Sequence, residues 1–350
     1  MAAMSEAYDL TCVIHVHSTY SDGSGTVPQI ARAAERAGVD VVLLTDHDTL
    51  AAKRRGEERW YGNALVLVGE EVSPTDRDHF LAFGIDSEID RRLSGPEICR
   101  AVAAAGGFGF AAHPFSRGSE RFKRPAMKFG QPGCLDGIEL WSFLNDTGER
   151  VQGFADLARM ILTPQRVIGG PIEDNMREWD RLAAARRVVA IGGLDAHQFG
   201  IRIGGRVPLR AMSYKRAFKQ LHTHVLCERP PTRELEHDRA LVYDALREGH
   251  CYIAVDAITP AEGFTFWADG AGVMPMGAER PFEPGWIAHA RLPRAAHIRL
   301  LRDGELIAES DSDELHHPIE RYGVHRMEVS LGGRPWIFSN PLYFRAPRDL

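Results

Sequence analysis

The chain has 350 residues, of which 44% are hydrophobic and 26% charged, and its formal net charge is −6. This length predicts two domains, or one large barrel with an appendage, and the composition is that of a globular protein with a full core. The acidic balance offers no basic field of the kind that gathers nucleic acid, so we expect no nucleic-acid partner.

The start of the chain, MAAMSEAYDL, has neither the basic residues nor the apolar run of a signal peptide. No apolar stretch approaches the roughly 18 to 20 residues that cross a bilayer, so we expect no membrane partner. The cysteines are odd in number and form no CxxC pair, as is typical of reduced thiols. We therefore expect a cytoplasmic protein whose scattered cysteines are small core residues: Cys12, Cys99, Cys134, Cys227 and Cys251.

Up to about residue 255, short apolar runs alternate with helical patterns. One helical pattern covers 27–37 and ends at Gly38, where a C-cap glycine is favoured, and another begins at 94–97. The apolar runs favour strands buried on both faces, as in a parallel sheet. The alternation predicts an α/β barrel-like domain over residues 1–255. Its seven predicted strands are 11–16, 39–44, 64–68, 80–85, 107–112, 137–140 and 188–192.

After about residue 256 the sequence becomes rich in aromatic and β-branched residues, and Asp303-Gly304 is a strong hairpin signal. These features predict a small antiparallel β-sandwich over residues 256–350, whose part in the function and whose effect on the oligomeric state stay open. The predicted strands are 263–269, 286–292, 297–301, 305–309, 324–331 and 335–344. We interpret six aromatic residues as core rather than a ligand platform: Phe264, Phe266, Trp267, Trp286, Trp336 and Phe338.

All six histidines before residue 200 lie at or beside the end of a predicted strand, and three carboxylates share that placement. In α/β barrels the loops at the C-terminal ends of the strands converge on one mouth. Alternate residues of a strand project from one face, so His15 and His17 could hold one ion together, and Asp195 and His197 repeat the spacing. Imidazole with carboxylate favours Zn²⁺, Mn²⁺ or Fe²⁺ over Ca²⁺. The nine candidate ligands are His15, His17, Asp22, His47, Glu71, His79, His113, Asp195 and His197.

A single H-x-H pair is weak evidence, because with 15 histidines in 350 positions a chance pair is not unusual. His222 and His224 form a second pair, away from any clear strand end, and we interpret them as structural. His316 and His317, in the predicted sandwich, are interpreted as surface residues. The first pair gains its weight from the other candidates at the same rim.

Five motifs follow one another along the chain. They are His15-Val-His17 with Asp22-Gly23, Thr45-Asp46-His47-Asp48, Gly69-Glu70-Glu71, Ala112-His113-Pro114 and Leu194-Asp195-Ala196-His197. In this order they resemble the PHP superfamily, named for its polymerase and histidinol phosphatase members, over roughly residues 9–255. The resemblance implies a distorted, seven-stranded relative of the β/α barrel and a metal-dependent hydrolase. Leu194 departs from the serine that is common there, at a position not expected to be a ligand.

The resemblance also implies how the ligands divide. The first metal would be held by His15, His17, Glu71 and Asp195; Glu71 would bridge to a second metal held by His79 and His113; the third site would be Asp22, His47 and His197. Glu71 is preferred over Glu70 because the family motif reads G-x-E. Asp46 and Asp48 are expected to orient nearby ligands, and Glu139 is a further candidate for that part.

This ligand set implies ester hydrolysis by a metal-bound hydroxide at a centre of two or three divalent ions (Zn, Mn or Fe). A basic loop after His113 and arginines after His197 favour a small, anionic phosphate ester. The leading hypothesis is therefore a metal-dependent phosphoesterase. Its candidate substrate-binding residues are Arg117, Arg121 and Arg202.

Two alternatives stay open. The layout of the chain, with Gly333-Arg-Pro-Trp-Ile-Phe-Ser-Asn-Pro341 near its end, resembles the carbaryl-hydrolase-like branch of the superfamily. That resemblance implies cleavage of carboxylic or carbamate esters by the same metal chemistry. The other alternative is a non-catalytic metal-binding module, although a module that had lost activity would be expected to lack some ligands.

Overall fold

The computed structural model describes residues 7–74, 79–116, 135–198, 200–203, 206–210 and 212–347, with backbone alone for 200–203 and 206–210. None of the helices formed by these residues has the length and apolarity needed to span a membrane. The strands are β1 (Tyr8–Val16), β2 (Val41–His47), β3 (Arg59–Tyr61), β4 (Ala64–Val72), β5 (His79–Phe83), β6 (Phe108–Ala112), β7 (Gly137–Ser142), β8 (Val189–Gly193), β9 (Gly200–Ile203), β10 (Arg206–Arg210), β11 (His222–Cys227), β12 (Cys251–Ala254), β13 (Thr265–Asp269), β14 (Val273–Pro275), β15 (Glu279–Pro281), β16 (Trp286–Arg302), β17 (Glu305–Ile319), β18 (Gly323–Leu331), β19 (Arg334–Ser339) and β20 (Leu342–Arg345). The α-helices are α1 (Val27–Glu35), α2 (Ala51–Arg54), α3 (Gly95–Ala104), α4 (Phe143–Glu149), α5 (Phe154–Leu162), α6 (Glu173–Ala185), α7 (Tyr214–Ala217) and α8 (Leu235–Glu248), with a 3-10 turn at Pro164–Arg166.

The chain folds into two compact units. The larger unit comprises Thr11–Asn175 and Gly192–Thr223, and the smaller unit comprises Met1–Leu10, Met176–Ile191 and His224–Leu350. Residues 224–255 thus group with the C-terminal part of the chain, since β12 pairs with β19. The boundary at 255/256 stays a prediction about domain organisation.

In the larger unit, parallel strands carry the polar loops at one rim. β1 pairs with β2 and β2 with β4, both in parallel, and β6 and β7 are parallel as well. The residues after β8 run beside the end of β1, where the backbone N of Leu194 donates to the carbonyl of Ile14 at 2.9 Å. All seven strands predicted up to residue 255 are present and largely buried, which confirms a mixed α/β fold.

Strand β5 corrects the expectation of an all-parallel sheet. It runs antiparallel to both of its neighbours, β4 and β6. Only the segment 73–78 links β4 to β5, which is too short for the crossover that a parallel connection requires. The reversal brings the first residue of β5, His79, to the rim where the neighbouring strands end, because His79 pairs with Ala112.

The two predicted helix starts are confirmed. Helix α1 opens after Thr26, whose backbone N donates to the side chain of Gln29 at 3.1 Å, and the chain turns at Gly38 with φ 79°. Helix α3 opens after Ser94, whose backbone N donates to Glu97 at 2.8 Å. Both are reciprocal capping boxes, which satisfy N–H groups that a helix start leaves without partners.

Long strand β16 organises the smaller unit. Its first half pairs with β13 and its second half with β18, while β17 runs along its other edge, all antiparallel. The segments 286–292 and 297–301, predicted as two strands, are therefore one strand with a register shift between Arg291 and Ala296. The predicted strand 335–344 is two strands, β19 and β20, because Asn340 and Pro341 interrupt it.

The predicted hairpin and most of the predicted aromatic core are confirmed. Asp303 and Gly304, with φ 52° and 83°, form the turn between β16 and β17, as expected of a type I′ hairpin. Five of the six aromatic residues are buried, whereas Trp267 is half-buried and stacks on His289 with ring centroids 5.0 Å apart. The core of this unit is apolar and lies between the antiparallel strands.

Candidate metal centre

The nine candidate ligands lie in the larger unit and meet at one rim. They come from the ends of β1, β2 and β4, the start of the reversed strand β5, and the segments after β6 and β8. Groups of three or more of their nitrogen and oxygen atoms lie close enough together to hold a metal ion. The structure thus brings together every metal ligand that the sequence predicts, while the assignment of each to a particular ion stays a prediction.

The first group consists of four buried side chains. Nε2 of His15 lies 3.2 Å from Oε2 of Glu71 and 3.5 Å from Oδ1 of Asp195. Nε2 of His17 lies 3.3 Å and 3.4 Å from the same two oxygens. Each of the two imidazole nitrogens therefore lies within 3.5 Å of both carboxylate oxygens.

The second group uses the other oxygen of Glu71. Its Oε1 lies 2.8 Å from Nδ1 of His79 and 3.3 Å from Nε2 of His113. The two oxygens of one carboxylate thus face two different histidine pairs. A carboxylate in this position could bridge two ions.

The third group lies towards solvent. Oδ1 of Asp22 is 3.1 Å from Nε2 of His197, 3.7 Å from Nε2 of His47 and 3.8 Å from Nδ1 of His17. The Asp22 side chain is 58% exposed, whereas the carboxylates of the first group are buried. His47 also borders Glu71, with Nδ1 3.0 Å from Oε2. This group is therefore the most open part of the cluster.

The backbone at three ligands is left-handed. His15 has φ 66°, Asp195 φ 50° and His113 φ 31°, values that residues with side chains rarely adopt. The register of β1 against β2 shifts between Ile14 and Val16, at His15. The expectation that His15 and His17 share one face of a regular strand is therefore wrong. Their Nε2 atoms converge because the chain turns at His15.

Glu139 and Asn145, on β7 and α4, hold ligands from outside the cluster. Nδ1 of His15 donates to Oε1 of Glu139 at 3.0 Å, and the backbone N of His113 donates to Oε2 at 2.7 Å. The amide of Asn145 donates to Oδ2 of Asp195 at 2.9 Å. Glu139 was suggested by its place near the end of the predicted strand 137–140. Asn145 was missed, and its position three residues after β7 is the available signal.

Asp46 and Asp48 act on different neighbours. Asp46 accepts hydrogen bonds from the backbone N and the hydroxyl of Ser18, at 2.7 and 2.6 Å, and thus shapes the loop before Asp22. Asp48 accepts from the backbone N of Ser73 at 2.8 Å, and Nδ1 of His47 donates to the Ser73 hydroxyl at 2.7 Å. Asp48 and His47 are therefore linked indirectly, because both bind Ser73. The sequence did not suggest a role for Ser73.

Charge in the cluster shifts the pKa values of its members. Burial alone would raise the pKa of Glu71, but the histidines around it, His15 foremost, hold it well below its usual value. Burial would lower the pKa of His47, yet Glu71 and Asp22 raise it to about 9. Burial would raise the pKa of Asp22, and its histidine neighbours bring it to about 2. When no metal is bound, these carboxylates are ionised at neutral pH and His47 is protonated.

The donor atoms fit divalent ions. Within the described part of the chain, Nε2 of His15, both ring nitrogens of His17 and Oε2 of Glu71 are buried without a hydrogen-bond partner. Leaving such atoms unpaired in a protein interior is unfavourable. Metal–ligand bonds of about 2.0–2.2 Å separate neighbouring ligand atoms by about 3.0–3.5 Å. The nitrogen–oxygen separations of the first group, 3.2–3.5 Å, match this range. The cluster is therefore suited to binding metal.

Adjacent glutamates at the end of β4 have opposite surroundings. Glu71 faces the histidines, whereas Glu70 accepts a hydrogen bond from the backbone N of Ile89 at 3.1 Å. Burial raises the pKa of Glu70 to about 8. The two side chains project to opposite sides of a strand, and the preference for Glu71 as the ligand agrees with this geometry.

The structure does not describe the side chains proposed to bind substrate. Arg117 and Arg121 lie outside the described residues, and Arg202 lies on β9, of which only the backbone is described. Their part therefore stays a prediction. His222 and His224 correct a second expectation, that they lie away from any clear strand end, since His222 is the first residue of strand β11. His222 donates to the carbonyl of Phe218 at 2.6 Å, which agrees with a structural part.

Comparisons with known proteins give partial matches. No family model matches the chain. An uncharacterized protein of Methanocaldococcus jannaschii is 26% identical over 116 residues, which are 29% of this chain and 67% of that protein. The phosphoribosyl 1,2-cyclic phosphate 1,2-diphosphodiesterase of Eggerthella lenta is 38% identical over 81 residues, 21% of this chain. That match spans 30% of the length of the enzyme.

One solved structure resembles the chain over nearly its whole length. It is a two-domain protein of Bacteroides vulgatus that contains a predicted PHP-like metal-dependent phosphoesterase. The match covers 97% of this chain and 96% of the other at 16% identity, with a TM-score of 0.46. A TM-score of this size does not establish a common fold.

Proposed function

We propose that this chain is a PHP-type, metal-dependent phosphoesterase that hydrolyses a small, anionic phosphate ester with two or three divalent ions. The observation that carries the proposal is the arrangement at Glu71. Its two oxygens face separate groups of ring nitrogens, at 3.2 Å for His15 and 2.8 Å for His79. A carboxylate in this position would hold one ion with each group, and two ions would supply Lewis-acid chemistry to one substrate. The fold that accompanies this proposal is a distorted barrel of seven strands with a C-terminal β-sandwich.

Hydrogen bonds from residues around the cluster orient the candidate ligands in the absence of substrate. The hydrogen bond from His15 to Glu139 leaves Nε2 of His15 free to bind an ion, and the bond from His47 to Ser73 does the same for His47. Asn145 holds one oxygen of Asp195, so the other faces the histidines. The chain therefore contributes a rigid set of donors that needs little rearrangement to bind metal.

Bound divalent ions would lower the pKa of water, neutralise an anionic substrate and stabilise the charge of the leaving oxygen. Phosphorus is favoured over carbon as the electrophile for two reasons. The relative from Eggerthella lenta is named a phosphodiesterase. In addition, the sequence places Arg117, Arg121 and Arg202 after candidate ligands, where guanidinium groups suit a phosphate.

A second candidate function is hydrolysis of a carboxylic or carbamate ester. The pattern Gly333 to Pro341 favours this second function, because the pattern resembles the carbaryl-hydrolase-like branch. The metal ligands would be the same in both cases, so the difference lies in the substrate pocket. A non-catalytic metal-binding module is the remaining alternative.

A substrate panel separates these functions. The full chain is loaded with Mn²⁺, Zn²⁺ or Fe²⁺, its metal content is measured, and p-nitrophenyl phosphate, bis(p-nitrophenyl) phosphate and p-nitrophenyl acetate are compared. We expect at least two ions per chain and turnover of a phosphate ester above that of the acetate. Preference for the acetate would support the second candidate and overturn the first. Bound metal without any turnover would favour the binding module.

A further inference from the structure

A cavity of about 290 Å³ lies in the larger unit between helix α1 and the start of helix α7. None of the nine candidate metal ligands lines it. Residues 29, 32, 33 and 36 line one side, and this spacing places them on a single face of the helical segment. The described residues that line it are Gln29, Arg32, Ala33, Arg36, Gln198, Ser213, Tyr214 and Lys215.

The charge of this cavity is positive and unbalanced. Three lining residues are cations, Arg32, Arg36 and Lys215, and none of the described residues that line the cavity is a carboxylate. None of the three forms an ion pair with any residue that the structure describes. Other exposed arginines of the same unit do have such partners, as Arg91 does in Asp48, at 2.7 Å. Cations held together without counter-charges create a positive potential that favours an anion.

Two buried polar residues also line the cavity. Tyr214 is 2% exposed and Gln198 is 8% exposed, and the Gln198 backbone is left-handed with φ 57°. Guanidinium groups bind phosphate through several hydrogen bonds at once, and an ammonium group adds a point charge. The volume far exceeds the about 10–15 Å³ that admits one water molecule. A phosphate with an attached organic group therefore fits.

Tyr214, which lines the cavity, also contacts the backbone of two candidate metal ligands. The Tyr214 hydroxyl donates to the carbonyl of His17 at 2.7 Å and lies 3.3 Å from that of His197. The backbone N of Ser24 also donates to the carbonyl of His197, at 3.1 Å. Gln198 follows His197 directly in the chain. An occupant of the cavity would thus contact residues that position two candidate ligands.

We propose that this cavity is a phosphate-binding site, separate from the metal cluster, for inorganic phosphate or a phosphorylated small molecule. The proposal goes beyond the proposed catalytic function and does not depend on it, because the cavity has its own cations. A phosphate bound in the cavity would affect the third group of candidate ligands through Tyr214, whose hydroxyl contacts the backbone carbonyls of His17 and His197. A product or effector could therefore act on the enzyme from this position.

The test is calorimetric titration of the full, Mn²⁺-loaded chain with inorganic phosphate at constant ionic strength. The variant Arg32→Gln, Arg36→Gln, Lys215→Gln is compared with wild type and with Arg100→Gln, which removes an exposed helical arginine elsewhere. We expect phosphate to bind at least about tenfold more weakly to the triple variant, because charge-assisted hydrogen bonds are lost. Arg100→Gln should bind as wild type does. Equal affinity in the triple variant and wild type would overturn the proposal.

A second titration separates the cavity from the metal cluster. Glu71→Gln, which is expected to impair the cluster, should keep the binding that depends on the three cations. Loss of all phosphate binding in Glu71→Gln would assign that binding to the metal and overturn the cavity site. Binding that depends on the three cations, found in a chain without phosphoesterase activity, would support the cavity and contradict only the proposed function.

The two sources of phosphate are distinguished with a second probe. Phenylphosphonate keeps a phosphate-like head but cannot be hydrolysed as an ester. Tighter binding of phenylphosphonate than of inorganic phosphate, lost in the triple variant, would indicate a phosphorylated organic ligand. The reverse order would indicate inorganic phosphate. Failure of both probes to respond to the triple substitution would reject the site.

Discussion

Glu139 accepts the Nδ1 proton of His15 at 3.0 Å, so the opposite ring nitrogen of that histidine faces Glu71 and Asp195. Glutamine in place of Glu139 would keep an oxygen acceptor but remove the charge that makes the ring a stronger ligand. We expect Glu139→Gln to weaken metal affinity by about 10- to 100-fold. A competition titration with a chelator measures this, with Glu97→Gln on α3 as the control. Unchanged affinity would show that the hydrogen bond has no effect on the ligand.

The two neighbouring glutamates of β4 provide a matched pair of variants. Glu71→Gln removes the carboxylate that faces both histidine pairs, so we expect bound metal and turnover to fall by more than about 100-fold. Glu70→Gln should be close to wild type, because Glu70 has a pKa of about 8 and is mostly protonated at pH 7. Metal content and kcat are measured on both. Equal loss in the two variants would contradict the assignment of Glu71 as the bridging residue.

Much of this fold follows from local patterns, and much of the site does not. Apolar runs predict the seven strands, and Asp303-Gly304 predicts its hairpin, because both signals are local. The direction of β5 is not predictable from its own five residues, since an apolar run reads the same in either direction. The grouping of the nine candidate ligands at one rim could be predicted from their places at strand ends. The contact between Asn145 and Asp195 could not, because the two residues are 50 positions apart.

In the smaller unit, His224 predicts a pH dependence of stability. Nδ1 of His224 lies 2.7 Å from Asp9 and Nε2 lies 3.0 Å from Asp256. Burial would lower the pKa of His224, but these two carboxylates raise it from 6.5 to about 9. A raised pKa stabilises the folded state fully below about pH 6.5 and loses that effect as pH rises through about 9. The shift corresponds to about 3 kcal/mol.

We therefore expect the free energy of unfolding to fall between pH 7 and pH 10 more steeply in wild type than in His224→Gln. Urea unfolding at several pH values measures the difference. His316→Gln, which removes an exposed histidine on β17 of the same unit, should follow the wild-type curve. Parallel curves for wild type and His224→Gln would show that this triad does not stabilise the fold.

Asn340, near the end of the chain, predicts a large loss of stability. It is 1% exposed, and its amide donates to the carbonyls of Ala190 at 2.9 Å and Cys251 at 2.8 Å. Asn340→Ala would leave buried backbone groups without partners, so we expect a loss of about 3 kcal/mol. Thermal and urea unfolding measure it, and the exposed Gln152→Ala should stay within about 0.5 kcal/mol. A loss of stability no larger than that of Gln152→Ala would contradict the structural role of Asn340. The asparagine of the terminal pattern thus has a packing function.

The left-handed backbone at His15, His113 and Asp195 bears on how this chain would change under different selection. At such positions glycine is the conformationally easier residue, and each non-glycine residue costs about 1 kcal/mol. A lineage that no longer needed metal would be free to remove that backbone cost by accepting glycine there. Glycine at these three positions would therefore mark relatives that have given up the metal centre, before any of their other ligands had changed.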